Sequence, residues 1–255
     1  MQYVNQEFLN KMETLKEKEM LEVLTDEFKT MFPSRTRVLG DNNLNLFLIH
    51  QQKTAKYYKY VYYDDLKRYA IIAFYFGTYF DEDPLYPWVQ EILKQEDSFG
   101  RKVDLLNKKF YEYFDSTIGT NAIYFQEACK KFKYVDKERI KEYREFEQII
   151  DTLTHIYPQR MHFIGQKNFI KSLQQQKLEL ERFNIHNPLG SAIYATLVFI
   201  MGTYVYRDPL FSWANKYLNQ PLSSREKIDL LFERGLNRVR KELMSIEKLI
   251  EMEEK

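Results

Sequence analysis

One cysteine, Cys129, stands in a chain of 255 residues. A single thiol excludes an intramolecular disulfide framework, so the fold must be held by its own core, and a reducing compartment is the expected setting. Glycine and proline are also scarce, at 8 and 7 residues. With so little turn chemistry, and with no alternating Val/Ile/Thr runs bounded by hairpin signals, the chain reads as all-α. No charge sign dominates: 38 basic side chains face 37 acidic ones. A balanced field gives nucleic acid nothing to neutralise, so no nucleic-acid partner is expected. The most apolar run, AIYATLVFIMGTYVY at 192–206, falls short of the roughly 20 residues that cross a bilayer. It predicts a helix buried on all sides and no membrane span. The opening MQYVNQEFLNKMETLKEKEM is polar throughout, which does not read as a signal peptide and predicts a cytoplasmic protein.

Catalytic furniture is missing as well. The chain contains no GxGxxG or GxxxxGK[ST] phosphate loop, no GxSxG elbow, no HExxH and no cysteine pair, so neither a cofactor nor a metal is expected. The run Asp81-Glu82-Asp83 has the charge for a cation loop, but its second occurrence reads Tyr206-Arg207-Asp208. Only the aspartate before proline is kept, which fits capping better than coordination.

What the chain does have is aromatic mass, with 20 tyrosines and 19 phenylalanines, and an internal repeat. PSRTRVLG at 33–40 faces PQRMHFIG at 158–165, and GTYFDEDPLYPW at 77–88 faces GTYVYRDPLFSW at 202–213. KVDLL at 102 faces KIDLL at 227, and 227 − 102, 202 − 77 and 158 − 33 all equal 125. Across 33–106 against 158–231, about 23 of 74 positions are identical, far above the ~6% of unrelated chains with ordinary residue usage. We expect two tandem helical repeats of about 125 residues, residues 1–127 and 128–255, related by pseudo-twofold symmetry. Shared residues then mark fold requirements, and differing ones mark divergence.

Within a unit, the spacing of Phe8, Met12, Leu15, Met20, Leu24, Phe28 and Met31 predicts an amphipathic first helix. Its second-copy equivalent is the charged stretch KKFKYVDKERIKEYREFEQIIDTLTHIY. Pro33 and Pro158 break or restart the chain, Gly40 and Gly165 supply stops, and Asp41 is placed to cap the next helix. Asn187-Pro188 opens a helix expected to run to about Tyr206, and the last helix is expected from REKIDLL to the end. Asp83-Pro84 and Asp208-Pro209 read as a cap followed by proline in the first helical turn, with Gly77 and Gly202 closing the preceding helix. The dodecapeptide is thus a helix-to-helix corner used twice, with Trp88 and Trp213 packing behind it. Arg35 and Arg160 are retained alongside Asp83 and Asp208, and Asp104 and Asp229; retained opposite charges predict partly buried ion pairs that set how helices cross.

The stretch YYKYVYYDD at 57–65 is replaced by RFNIHNPLG in the second copy. Tyrosine suits interfaces because it brings area and a hydrogen bond at low entropic cost. Tyr58, Tyr60, Tyr62 and Tyr63, joined by Asp64, Asp81 and Glu82, form the candidate partner surface: an acidic, aromatic patch on the first unit. The order FPSRTRVLG, helix, FGTYFDEDPLYPW resembles a group of bacterial helical proteins encoded near type VI secretion and polymorphic-toxin loci. That resemblance implies a toxin-binding immunity or accessory protein and no enzyme. Two other readings stand beside it: a hydrolase-type enzyme built around Arg35, Asp83 and Asp104 or their second-copy equivalents, and a scaffold dimerising through its charged terminal helices.

Overall fold

A computed structural model describes residues 6–59, 62–133, 146–185 and 188–235. Among them no strand occurs, and no helix is long and apolar enough to cross a membrane. The first helix, α1 (Gln6–Met31), buries Leu24 and Phe28 completely. Pro33 occupies the first turn of α2 (Pro33–Leu39), where its missing N–H leaves no bond unmade. Gly40 then takes φ 79° and passes the chain to α3 (Asp41–Tyr57). Asp41 does not cap that helix as expected. Gly40 holds the cap position, and the Asp41 carboxylate reaches back 2.9 Å to Lys29 Nζ. There it still opposes the positive end of α3.

Three more helices complete the first stretch: α4 (Tyr63–Phe76), α5 (Pro87–Leu93) and α6 (Phe99–Tyr113). After α7 (Ile123–Lys133) and α8 (Phe146–Ile156) the pattern recurs. It gives α9 (Pro158–Ile164), α10 (Gln166–Arg182), α11 (Pro188–Met201), α12 (Ser212–Leu218) and α13 (Ser224–Leu230). Their starting residues 158, 166, 188, 212 and 224 lie 125 beyond 33, 41, 63, 87 and 99. Of the expected caps, Asn187 lies outside the described residues, as does the last helix beyond Gly235. The middle of the charged counterpart of α1, 134–145, lies outside them too. α11 stops at Met201 rather than near Tyr206, because Gly202 takes φ 101° and turns the chain.

The core is aromatic. Phe28, Phe47 and Phe74 meet with centroids 5.3 to 6.0 Å apart, and Phe169 meets Phe199 at 5.4 Å. Edge-to-face and tilted pairs of this kind add about 0.5–1.5 kcal/mol beyond area burial. α6 continues into a π-helical turn, Phe114–Ile118, and a break follows. Gly119, Asn121 and Ala122 stand at φ 76°, 53° and 56° before α7 begins.

Candidate functional site

The two dodecapeptides form crossed loops. After α4, Gly77 turns the chain at φ 111° and Thr78 follows, fully buried. The Thr78 N–H donates to Asp208 Oδ2 at 2.8 Å and its hydroxyl to Asp208 Oδ1 at 2.5 Å. After α11, Thr203 does the same toward Asp83: its N–H donates to Oδ2 at 2.8 Å and its hydroxyl to Oδ1. Each carboxylate also accepts from its own loop, Asp83 from the Leu85 N–H at 2.9 Å and Asp208 from the Leu210 N–H at 2.8 Å.

This corrects the capping expectation at Asp83 and extends it at Asp208. Asp208 caps a short 3-10 turn, Pro209–Phe211, and α5 begins only at Pro87 behind Tyr86, which makes no side-chain cap bond. The main partner of each aspartate is the threonine on the other loop. Thr78 and Thr203 were missed by sequence reasoning, although both recur in the GTY triplet; the signal was a retained polar residue for which a corner offered no use. The glycines follow from the same geometry. A Cβ on Gly77 would lie 3.1 Å from Asp208 Oδ2, and one on Gly202 3.1 Å from Asp83 Oδ2.

Asp83 and Asp208 are 4% and 3% exposed. Burial disfavours their charge and pushes Asp83 up to about 6, against the pull of the Thr203 hydroxyl and the two backbone donors. Asp208 is raised by the same cause. Arg160 lies close enough to act on Asp83 but does not bind it. Its Nε donates to the Phe199 carbonyl at 2.6 Å, Nη2 to the Tyr86 hydroxyl at 2.9 Å, and Nη1 to the Tyr113 hydroxyl. The expected ion pair is therefore a guanidinium seated on the carboxyl end of α11 and on two phenols. That is a favourable position for a cation. The Arg35 guanidinium carbon lies 4.1 Å from the Phe74 ring centroid, and that of Arg160 lies 5.8 Å from the equivalent Phe199 ring. Asp104 pairs instead with Arg68 at 2.6 Å, which also holds Asp65 at 2.6 Å. Asp83 and Asp104 therefore have different partners, Thr203 and Leu85 for the one and Arg68 for the other.

The same clasp between the loops has a second part beyond the threonine–aspartate bonds. Glu82 and Arg207, at equivalent positions, form an ion pair at 3.1 Å. Arg207 also lies 4.1 Å from the Tyr79 ring and 4.3 Å from the Tyr204 ring, and those rings are 5.8 Å apart. Here the divergent residues of the two copies complement each other.

The structure splits the expected partner patch. Asp81 is 6% exposed, and burial, reinforced by Glu82, pushes it up to about 6. Glu82 is engaged by Arg207, so neither acid is a free surface charge. The Tyr63 hydroxyl donates to Glu27 at 3.0 Å, and burial followed by that bond raises its pKa. Tyr58 is half-buried, with Lys102 Nζ 5.9 Å from its ring centroid. Tyr60 lies outside the described residues. What stays exposed is Tyr62 at 69%, the neighbouring Tyr57 at 79%, and Asp64 in the first turn of α4.

The Trp88 ring lies 5.9 Å from that of Phe76, and the Trp213 ring 6.2 Å from that of Tyr217. Both indole N–H groups are buried without a hydrogen-bond partner. Around Tyr69 the halves differ again. The Tyr194 hydroxyl donates to Gln176 Oε1 at 3.2 Å, whereas Tyr69 Oη and Gln51 Oε1, at the equivalent positions, are both buried and unbonded. Among the described residues no group of three or more His, Cys, Asp or Glu side chains is placed to hold a metal ion. Comparison with family models, with curated proteins and with solved structures returns no match for this chain.

Proposed function

We propose that the chain is two fused copies of one helical module, related by a pseudo-twofold axis between the crossed loops, and that it works as a non-enzymatic protein-binding module. The reciprocal Thr78–Asp208 and Thr203–Asp83 bonds support the symmetry, since 203 − 78 and 208 − 83 both equal 125. The recurrence of helix starts at the same interval supports it too.

One observation carries the binding reading. The recurring Arg160, Asp83 and Asp208 are buried and hydrogen-bonded within the fold, whereas exposed aromatic area lies where the copies differ, at Tyr57 and Tyr62 with Asp64. Tyrosines of this kind supply interface area at low entropic cost. The resemblance to proteins of toxin loci makes the partner a secreted toxin or part of its delivery apparatus, met in the cytoplasm. A tagged chain recovered from its native host tests this against a Tyr57→Ala/Tyr62→Ala/Asp64→Ala variant. A stoichiometric protein held by the parent and lost from the variant supports the reading. Equal recovery by both moves the interface elsewhere, and no stoichiometric protein with either refutes it.

A further inference from the structure

The clasp between the loops is made of atoms that any second copy of this chain also carries. Every bond across it joins residues far apart in sequence: Thr78 to Asp208, Thr203 to Asp83, and Glu82 to Arg207. None of these bonds depends on which chain supplies each side. Among the described residues, the connection between the two stretches gathers its strain most densely just before α7. Between the π-helical turn Phe114–Ile118 and α7, the backbone holds Gly119, Asn121 and Ala122 at positive φ. Alanine disfavours that region because its Cβ crowds the neighbouring carbonyl. A Cβ on Gly119 would meet Tyr124 Cδ2 at 2.6 Å, so this bend is tightly closed. Short, strained connections between complementary halves are where exchange between chains begins.

We propose that two copies of this chain exchange halves, opening at residues 119–122, to form a domain-swapped dimer in which each clasp joins one chain's Thr78–Asp83 loop to its partner's 203–208 loop. This rests on the two-module reading. Charge sets the pairing: a first half against another first half would place Glu82 opposite Glu82, and a second against a second would oppose two Arg207 side chains. Of these dimers, only the exchanged one keeps the ion pair of the monomer. Below the effective concentration of a short tether, on the order of 1 mM, closed monomers win, and above it exchange competes.

The test is light scattering on the full chain after refolding from urea at about 10 μM and about 1 mM protein. Dimer is expected at the higher concentration. Its yield should fall several-fold in Ala122→Gly and at least tenfold when a flexible glycine-serine insert replaces 119–122. In a Glu82→Cys/Arg207→Cys chain, a short bis-maleimide should link two chains in the dimer fraction but close a loop within one chain in the monomer fraction. Monomer only at 1 mM, or a dimer whose yield ignores both hinge variants, overturns the proposal. The two-module reading is judged separately, by whether the Glu82/Arg207 charge exchange restores stability within the monomer.

Discussion

Replacing Asp83 by asparagine separates two effects of the clasp that oppose each other. In the native chain the carboxyl is fully enclosed and titrates near 6 rather than at its ordinary 3.8. A folded-state pKa above the unfolded one means that the native protein holds the proton more tightly. Between about pH 4 and pH 6 the native side chain is then protonated while the unfolded one is ionised, so stability falls as pH rises through that window and is level on either side. Holding the carboxyl at about 6 rather than 3.8 corresponds to about 3 kcal/mol. The neutral acid fits the site: a proton on Oδ1 turns toward the Thr203 hydroxyl, and both backbone N–H groups keep their acceptors. Asparagine cannot do this. Thr203 N–H and Leu85 N–H address different oxygens, so the amide nitrogen faces one of them donor to donor. That unmatched contact costs about 1–3 kcal/mol at every pH. Urea unfolding of parent and Asp83→Asn from pH 4 to pH 7.5 should therefore show a stability difference favouring the parent that is largest near pH 4 and shrinks by up to about 3 kcal/mol by pH 6.5. A difference that grows with pH would refute the reasoning. It would mean that three donors outweigh burial and hold the carboxylate charged.

Gly202→Ala should destabilise by more than about 1 kcal/mol in the same assay, because φ is 101° and the new Cβ meets Asp83 Oδ2 at 3.1 Å and the Phe76 carbonyl at 3.3 Å. Glu82→Arg or Arg207→Glu alone should cost about 0.5–1 kcal/mol for a partly exposed pair, and the double exchange should recover the ion-pair part of the loss; a double-mutant cycle at low salt reads this. Tyr194→Phe should cost about 1–2 kcal/mol by orphaning Gln176 Oε1, while Tyr69→Phe removes an unbonded hydroxyl and should change urea stability by under about 0.5 kcal/mol.

The helical class and the starts at Pro33 and Pro158 were legible because proline, glycine and apolar spacing act locally. Pro33, Pro158, Gly40 and Gly165 punctuate the chain where their backbone chemistry requires it. The clasp was not legible. An aspartate before proline has a sufficient local role in its own turn, and nothing in the sequence around Asp83 indicates that a threonine 120 residues away supplies two of its bonds. At Arg160 the expected partner was not legible for a related reason: carbonyls and phenols take the place of a carboxylate. Asp81 misled because an acid in a hydrophilic run resembles a surface acid, yet Gln90 donates to its carbonyl and the loop folds its side chain inward.

Thr78 waits for an acceptor that lies 130 residues further along. On a ribosome adding about 5–20 residues per second, that distance is roughly 6 to 26 seconds of synthesis. Throughout that interval the nascent first half carries a buried-type amide and hydroxyl with only water to bind them. Emergence of Asp208 is thus the event that lets the earlier loop settle, and ribosome stalling between these two points would hold the chain in its least protected state.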